Sequence, residues 1–180
     1  MPFYRRKSFA KKTAPEESIT LSEAKKKLMD LVARRDHSEK ELRSKLSLRC
    51  SPEIVDQTLT WAREQNWLIS PEKLKTQVAA QLSRNGKGVR KINQKLQSLG
   101  LDSVKSETEE ELEKARHLVS RKWQPRDFKD LDFKESQKLK AKITRFLVAR
   151  GFELNVVSTI LRTDLKYTPS NEEEIYDEEL

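Results

Sequence analysis

The chain has one cysteine, four glycines and six prolines in 180 residues, and aromatic side chains make up only 7% of it. The lone cysteine, Cys50, excludes an internal disulfide and leaves any metal site to histidine and carboxylate ligands. So little glycine and proline excludes collagen-like and flexible low-complexity chains and argues against a turn-rich all-β fold. The thin aromatic content points away from a β-sandwich. No run approaches the ~18 apolar residues that span a bilayer. The basic N-terminus lacks the apolar stretch of a secretory signal. These absences lead us to expect a soluble, cytoplasmic protein. The two histidines, His37 and His117, fall in different segments, and nothing in the spacing gives either a nucleophile, a base pair or a ligand set. No enzymatic activity, cofactor or metal is expected.

Charge is abundant. Charged residues are 37% of the chain against 35% hydrophobic, and Leu, Lys, Glu, Ala, Arg and Gln dominate, a helix-forming composition. The formal net charge is +8 and the pI about 9.5. Residues 1–15 carry basic groups only, and residues 172–180 carry acidic groups only. The body between them is therefore basic, and the acidic tail partly masks it. A basic body suits a polyanionic partner: nucleic acid, a nucleoprotein or an acidic protein face. The plain alternative is a solvated helical surface.

Hydrophobic spacing predicts eight helices. Leu21, Ala24, Leu28, Leu31 and Val32 share one face of the first. Ser38 and Glu41 have capping-box spacing ahead of Leu42 and Leu46 in the second. Ser51-Pro52 opens the third, which carries Val55, Leu59 and Ala62, and Ser70-Pro71 opens the fourth, with Leu74, Val78 and Leu82. Asn85-Gly86-Lys87-Gly88 breaks the pattern before Val89, Ile92, Leu96 and Leu99, and Gly100 suits a left-handed helix stop. A sixth helix starts near Glu107 with Leu112, Ala115 and Val119. A seventh carries Leu139, Ile143, Phe146 and Leu147 up to Gly151. An eighth carries Phe152, Val156 and Ile160.

An internal repeat runs through this series: a helix ending in arginine, a turn, then a short helix. It occurs at Arg35-Asp36-His37-Ser38, at Arg84-Asn85-Gly86-Lys87-Gly88 and at Arg150-Gly151-Phe152. The expected organisation is a basic arm over 1–20, three-helix repeats over 21–69 and 70–125, a partial third repeat over 126–165, and an acidic tail over 166–180. The expected fold is all-α: tandem three-helix repeats in an elongated, curved array.

Four segments in order carry a family resemblance. They are Leu31-Val32-Ala33-Arg34-Arg35-Asp36-His37-Ser38 with Glu41-Leu42-Arg43; Ile54-Val55 through Asn66-Trp67-Leu68; Gly86-Lys87-Gly88-Val89-Arg90-Lys91-Ile92 with Gly100-Leu101; and Arg145-Phe146-Leu147-Val148-Ala149-Arg150-Gly151-Phe152. Together they resemble the RecX family of bacterial regulators of the RecA recombinase. In the second segment the family tends to have a glycine and a tyrosine before the leucine. The resemblance implies a non-catalytic RecA modulator of the cytoplasm, active in recombination, repair and the SOS response. Such a protein binds the RecA filament on single-stranded DNA and restrains its ATP hydrolysis, growth and strand exchange. Weak direct DNA binding and a monomeric state are expected with it. The rival is a helical nucleic-acid-binding protein acting without RecA, with residues 72–99 as a helix-turn-helix.

Candidate contact residues are basic. Arg34, Arg35, Arg84 and Arg150 sit at equivalent helix ends, where arginine also caps free carbonyls. Lys87, Arg90, Lys91 and Lys95 cluster at the glycine turn and along the fifth helix. Gly86-Lys87-Gly88 lacks the glycine spacing and ending of a nucleotide-binding loop. Trp61, Trp67 and Trp123 read as anchors of helix junctions.

Overall fold

A computed structural model describes residues 19–123 and 131–163. Most of the basic arm, the acidic tail and the stretch 124–130 lie outside the described residues. Every regular element among the described residues is an α-helix: α1 (Leu21–Arg34), α2 (Glu39–Leu46), α3 (Pro52–Glu64), α4 (Pro71–Arg84), α5 (Val89–Leu99), α6 (Thr108–Lys122), α7 (Phe133–Arg150) and α8 (Leu154–Thr163). No helix among them is long and apolar enough to cross a membrane. The chain divides into two compact units, Met1–Leu74 and Lys75–Leu180.

In the first unit α1 packs against α2 and α3. Ala24, Leu28, Leu42, Leu46, Val55 and Leu59 are buried in one cluster, each large side chain contributing ~1.5–3 kcal/mol. Cys50 joins this core, and burial pushes its thiol up from the ordinary value. Local chemistry sets the helix ends. Ser38 and Glu41 form the capping box that their spacing predicts, and Ser51 accepts from the Ile54 amide. A second box, Thr20 with Glu23, was not read from the sequence, because residues up to 20 were assigned to the basic arm.

The end of α3 explains the motif Asn66-Trp67. The Trp67 amide donates to the Ala62 carbonyl at 3.0 Å and the Asn66 amide to the Arg63 carbonyl at 3.0 Å. This closure needs a left-handed residue, and Asn66 supplies it at φ 55°. Asparagine tolerates that region better than other non-glycine residues. The closure also brings Trp67 edge-on to Trp61, with ring centroids 5.1 Å apart. Both rings serve the helix junction.

In the second unit α6, α7 and α8 share a core of Leu112, Ala115, Val119, Ile143, Leu147, Phe152, Val156 and Ile160. This corrects the expected repeat boundary at 125/126. That boundary would separate α6 from the helices that bury its apolar face. With α6 as its first helix the third repeat is complete rather than partial, and α4 and α5 are left to the second. The segment 101–107 forms no helix. Asn93 holds it by pairing with both backbone groups of Val104, at 2.9 and 2.8 Å.

Two glycines fix how α5 meets the end of α7. Gly151 stops α7 at φ 89°, and a Cβ there would collide with Lys91. A Cβ on Gly88 would lie 2.5 Å from the Gly151 carbonyl oxygen. Only glycine allows the two backbones to approach this closely. Gly151→Ala adds left-handed strain of ~1–2 kcal/mol to overpacking of ~1–3 kcal/mol, so urea denaturation should show a loss of ~2–5 kcal/mol. Gly86→Ala should cost only the ~1–2 kcal/mol of strain, because the nearest atoms there are the flexible end of Leu118. Equal losses at the two positions would show that the close approach is not rigid.

Candidate functional site

The start of α5 collects groups from three elements. Its N-cap is Gly88, which has no side chain to cap with. The carbonyls of Arg150 and Gly151 accept from the amides of Gly88 and Arg90 at 3.0 and 3.1 Å. The Val89 amide donates to Glu111 Oε2 at 3.1 Å. Glu111 is only 3% exposed. A buried carboxylate is tolerable here because it faces a helix N-terminus, accepts an amide and has Lys114 Nζ 3.5 Å from its other oxygen. In the sequence Glu111 is one of several acids in the first turn of α6.

This junction separates the candidate basic residues into groups. On one side Arg90 and Lys91 border a cavity of about 940 Å³ that also carries Lys105, Glu111 and Glu153, so its charge is mixed. Lys95 lies one turn further along α5, exposed. Lys87 is half-buried in the turn. On the other side Arg84 and Arg150 line a groove of about 450 Å³ together with Arg121 and Lys122 from the end of α6. Gly86, Leu118 and Phe146 form its apolar surface. Among the described residues no carboxylate lines this groove, and none pairs with any of the four cations.

Aromatic rings hold two of these cations. The Arg150 guanidinium lies 3.8 Å from the Phe146 ring centroid and Lys122 Nζ lies 4.6 Å from it. Trp123 meets Phe146 edge-on at 5.0 Å and 88°. Arg150 Nε is buried with no hydrogen-bond partner. The ring quadrupole offsets part of the repulsion within the cluster, and the uncompensated remainder attracts anions. Arg121 and Lys122 were missed in the sequence. The rule that found Arg84 and Arg150, arginine in the last turn of a helix, applies equally to α6.

The first unit treats its candidates differently. Arg34 is exposed in the last turn of α1. Arg35 donates to Glu41 from both terminal guanidinium nitrogens, Nη2 at 3.0 Å and Nη1 at 3.3 Å. His37 is buried, and its Nδ1 donates to the Arg35 carbonyl at 2.8 Å.

Two family models match the chain: RecX, first three-helix domain, over residues 24–61, and RecX, third three-helix domain, over residues 109–161. The second match starts within α6, in agreement with the core that α6 shares with α7 and α8. A protein of Cronobacter sakazakii named regulatory protein RecX is 31% identical over 154 residues, covering 74% of this chain and 87% of that one. The chain belongs to the RecX family. A second regulatory protein RecX, from Ralstonia nicotianae, is 30% identical over 155 residues, with 82% and 90% covered. The crystal structure of RecX from Lactobacillus salivarius superposes with a TM-score of 0.56 at 17% identity, over 81% of this chain and 96% of that one. At that identity the likeness shows the fold: tandem RecX helical repeats. Membership makes this a regulatory protein.

The Arg35–Glu41 pair predicts a pH dependence. Burial raises the Glu41 carboxyl, but the Arg35 guanidinium and the Ser38 amide outweigh it and hold the group below its ordinary value. A carboxyl lowered by folding adds stability above its unfolded pKa of ~4.3, and that stability is lost as pH falls through the folded value. Arg35→Gln should therefore lower stability by ~0.5–1 kcal/mol at pH 7, with the difference from the parent closing by about pH 3. Urea titrations at the two pH values measure it. An undiminished difference at the lower pH would mean that Arg35 acts through the Asp36 carbonyl instead.

Proposed function

We propose that this RecX-family chain regulates the RecA recombinase by binding its filament on single-stranded DNA, restraining ATP hydrolysis, filament growth and strand exchange. The observation that carries the reading is family membership across both matched repeats. Two features support it. Tandem helical repeats offer several weak contacts that reinforce one another on a polymeric partner. The basic groove supplies attraction to a polyanionic assembly. Regulation of this kind works by occupancy, favouring one state of the filament, and requires no reaction at the regulator. The setting is the cytoplasm and the acting species a monomer.

The groove also favours a second reading, a nucleic-acid-binding protein that works without RecA through α4 and α5. One pair of measurements separates the two. RecA ATP hydrolysis on single-stranded DNA is titrated with the full chain below one copy per recombinase, beside duplex binding at the same salt. The filament reading expects hydrolysis to fall while duplex binding stays weak. Unchanged hydrolysis with tight, base-dependent duplex binding would overturn it in favour of the second reading.

A further inference from the structure

We propose that the groove formed by Arg84, Arg121, Lys122 and Arg150 binds the phosphodiester backbone of a single nucleic-acid strand directly, with Phe146 as the residue that positions its cations. This deepens the filament reading and rests on it for the source of the strand.

The argument begins with charge. Four cations surround about 450 Å³, and among the described residues no carboxylate lines the space. Three of them are guanidiniums, whose planar N–H forks match phosphate oxygens. Geometry comes next. The Arg150 guanidinium carbon sits 3.8 Å from the Phe146 ring centroid, and Lys122 shares that ring. Both side chains therefore give up freedom before a ligand arrives, which lowers the ordering cost of binding. The Arg150 backbone is fixed as well, since its carbonyl accepts from Gly88.

The aromatic element decides between ligands. An acidic peptide would use the cations alone. A single strand uses cations along its backbone and flat faces under its bases, and arginine planes and aromatic rings provide those faces. The Arg150 guanidinium and Trp123 stand beside the cations as such faces, while the Phe146 ring is taken up by Arg150 and Lys122 and serves to position them. The site is a recess between helix ends, which admits an unpaired strand more readily than the convex flank of a duplex.

The test uses the full chain without recombinase and a labelled oligothymidine, read by anisotropy between ~50 and ~200 mM salt. Arg84 and Arg121 are exposed, so the double variant Arg84→Gln, Arg121→Gln leaves the core intact. It should weaken binding at least ~10-fold at the lower salt and flatten the log–log salt slope by about 1.4, the value for two lost single-strand phosphate contacts. A charge-matched control, Lys134→Gln with Lys138→Gln, changes exposed residues at least ~18 Å along α7 from Arg150 and should leave binding near the parent. Phe146→Leu keeps every charge and should weaken binding several-fold with the slope unchanged. Inorganic phosphate at matched ionic strength should leave the strand bound.

Equal behaviour of the groove variant and its control would overturn the proposal. So would displacement of the strand by inorganic phosphate, which would mark a lone-anion site. A glutamate-rich peptide that binds where the oligonucleotide does not would overturn it in favour of a protein ligand. The RecA assay keeps the two readings apart. If the parent restrains ATP hydrolysis while the groove variant still holds the naked strand, the groove proposal fails and the filament reading stands. If the groove variant loses the strand while the parent leaves hydrolysis untouched, the groove stands and the filament reading fails.

Discussion

The second unit depends on the close approach of Gly88 to Gly151. A helix start has amides without partners and a helix end has carbonyls without partners. Here the end of α7 and the start of α5 satisfy each other: the Arg150 and Gly151 carbonyls accept from the Gly88 and Arg90 amides. The opposed helix dipoles favour the same meeting. No Cβ fits between the backbones at either glycine. Glu111 completes the arrangement from α6 by taking the Val89 amide. One backbone junction thus fixes three helices, and with them the side chains on either side of it. Arg90 and Lys91 face a cavity of mixed charge, while Arg84 and Arg150 face a groove of one sign.

Most of the helices were legible in the sequence because their signals are local. Ser38 with Glu41, Ser51 before Pro52 and Gly100 after Leu99 each act within one helical turn, and each does what its spacing predicts. The repeat assignment failed at α6 because hydrophobic spacing shows that a helix has an apolar face but not which helices cover it. Leu112, Ala115 and Val119 suit a core with α5 as well as they suit one with α7 and α8, and only the fold chooses. Glu111 was illegible for the same reason. Its partner lies 22 residues away, and in sequence it is one acid in an acidic turn.

The candidate site was legible in part. Arginine at a helix end found Arg34, Arg35, Arg84 and Arg150, yet the same pattern covers different physical situations. Arg35 meets Glu41 six residues later and is largely neutralised by it. Arg84 and Arg150 meet no carboxylate among the described residues and are joined instead by Arg121 and Lys122. Spacing along the chain cannot separate these cases, because the presence or absence of a counter-charge is a property of the packed surface.

That difference extends to the units as wholes. In the first, Arg35, Arg43 and Arg63 pair with Glu41, Asp56 and Glu39. Exposed pairs of this kind add little stability, ~0–1 kcal/mol each, but they cancel much of the field that would draw an anion. In the second unit the groove cations meet no carboxylate among the described residues, and two of them, Lys122 and Arg150, are held against aromatic rings. Helix-end arginines of the same kind can therefore differ by charge pairing alone. Arg35, Arg43 and Arg63 meet carboxylates, whereas the groove of the second unit, among the described residues, carries a field that a polyanionic partner would feel. Net charge conceals this. The +8 of the chain describes neither unit, and the distribution of counter-charges, more than the number of lysines and arginines, determines where an anion can bind.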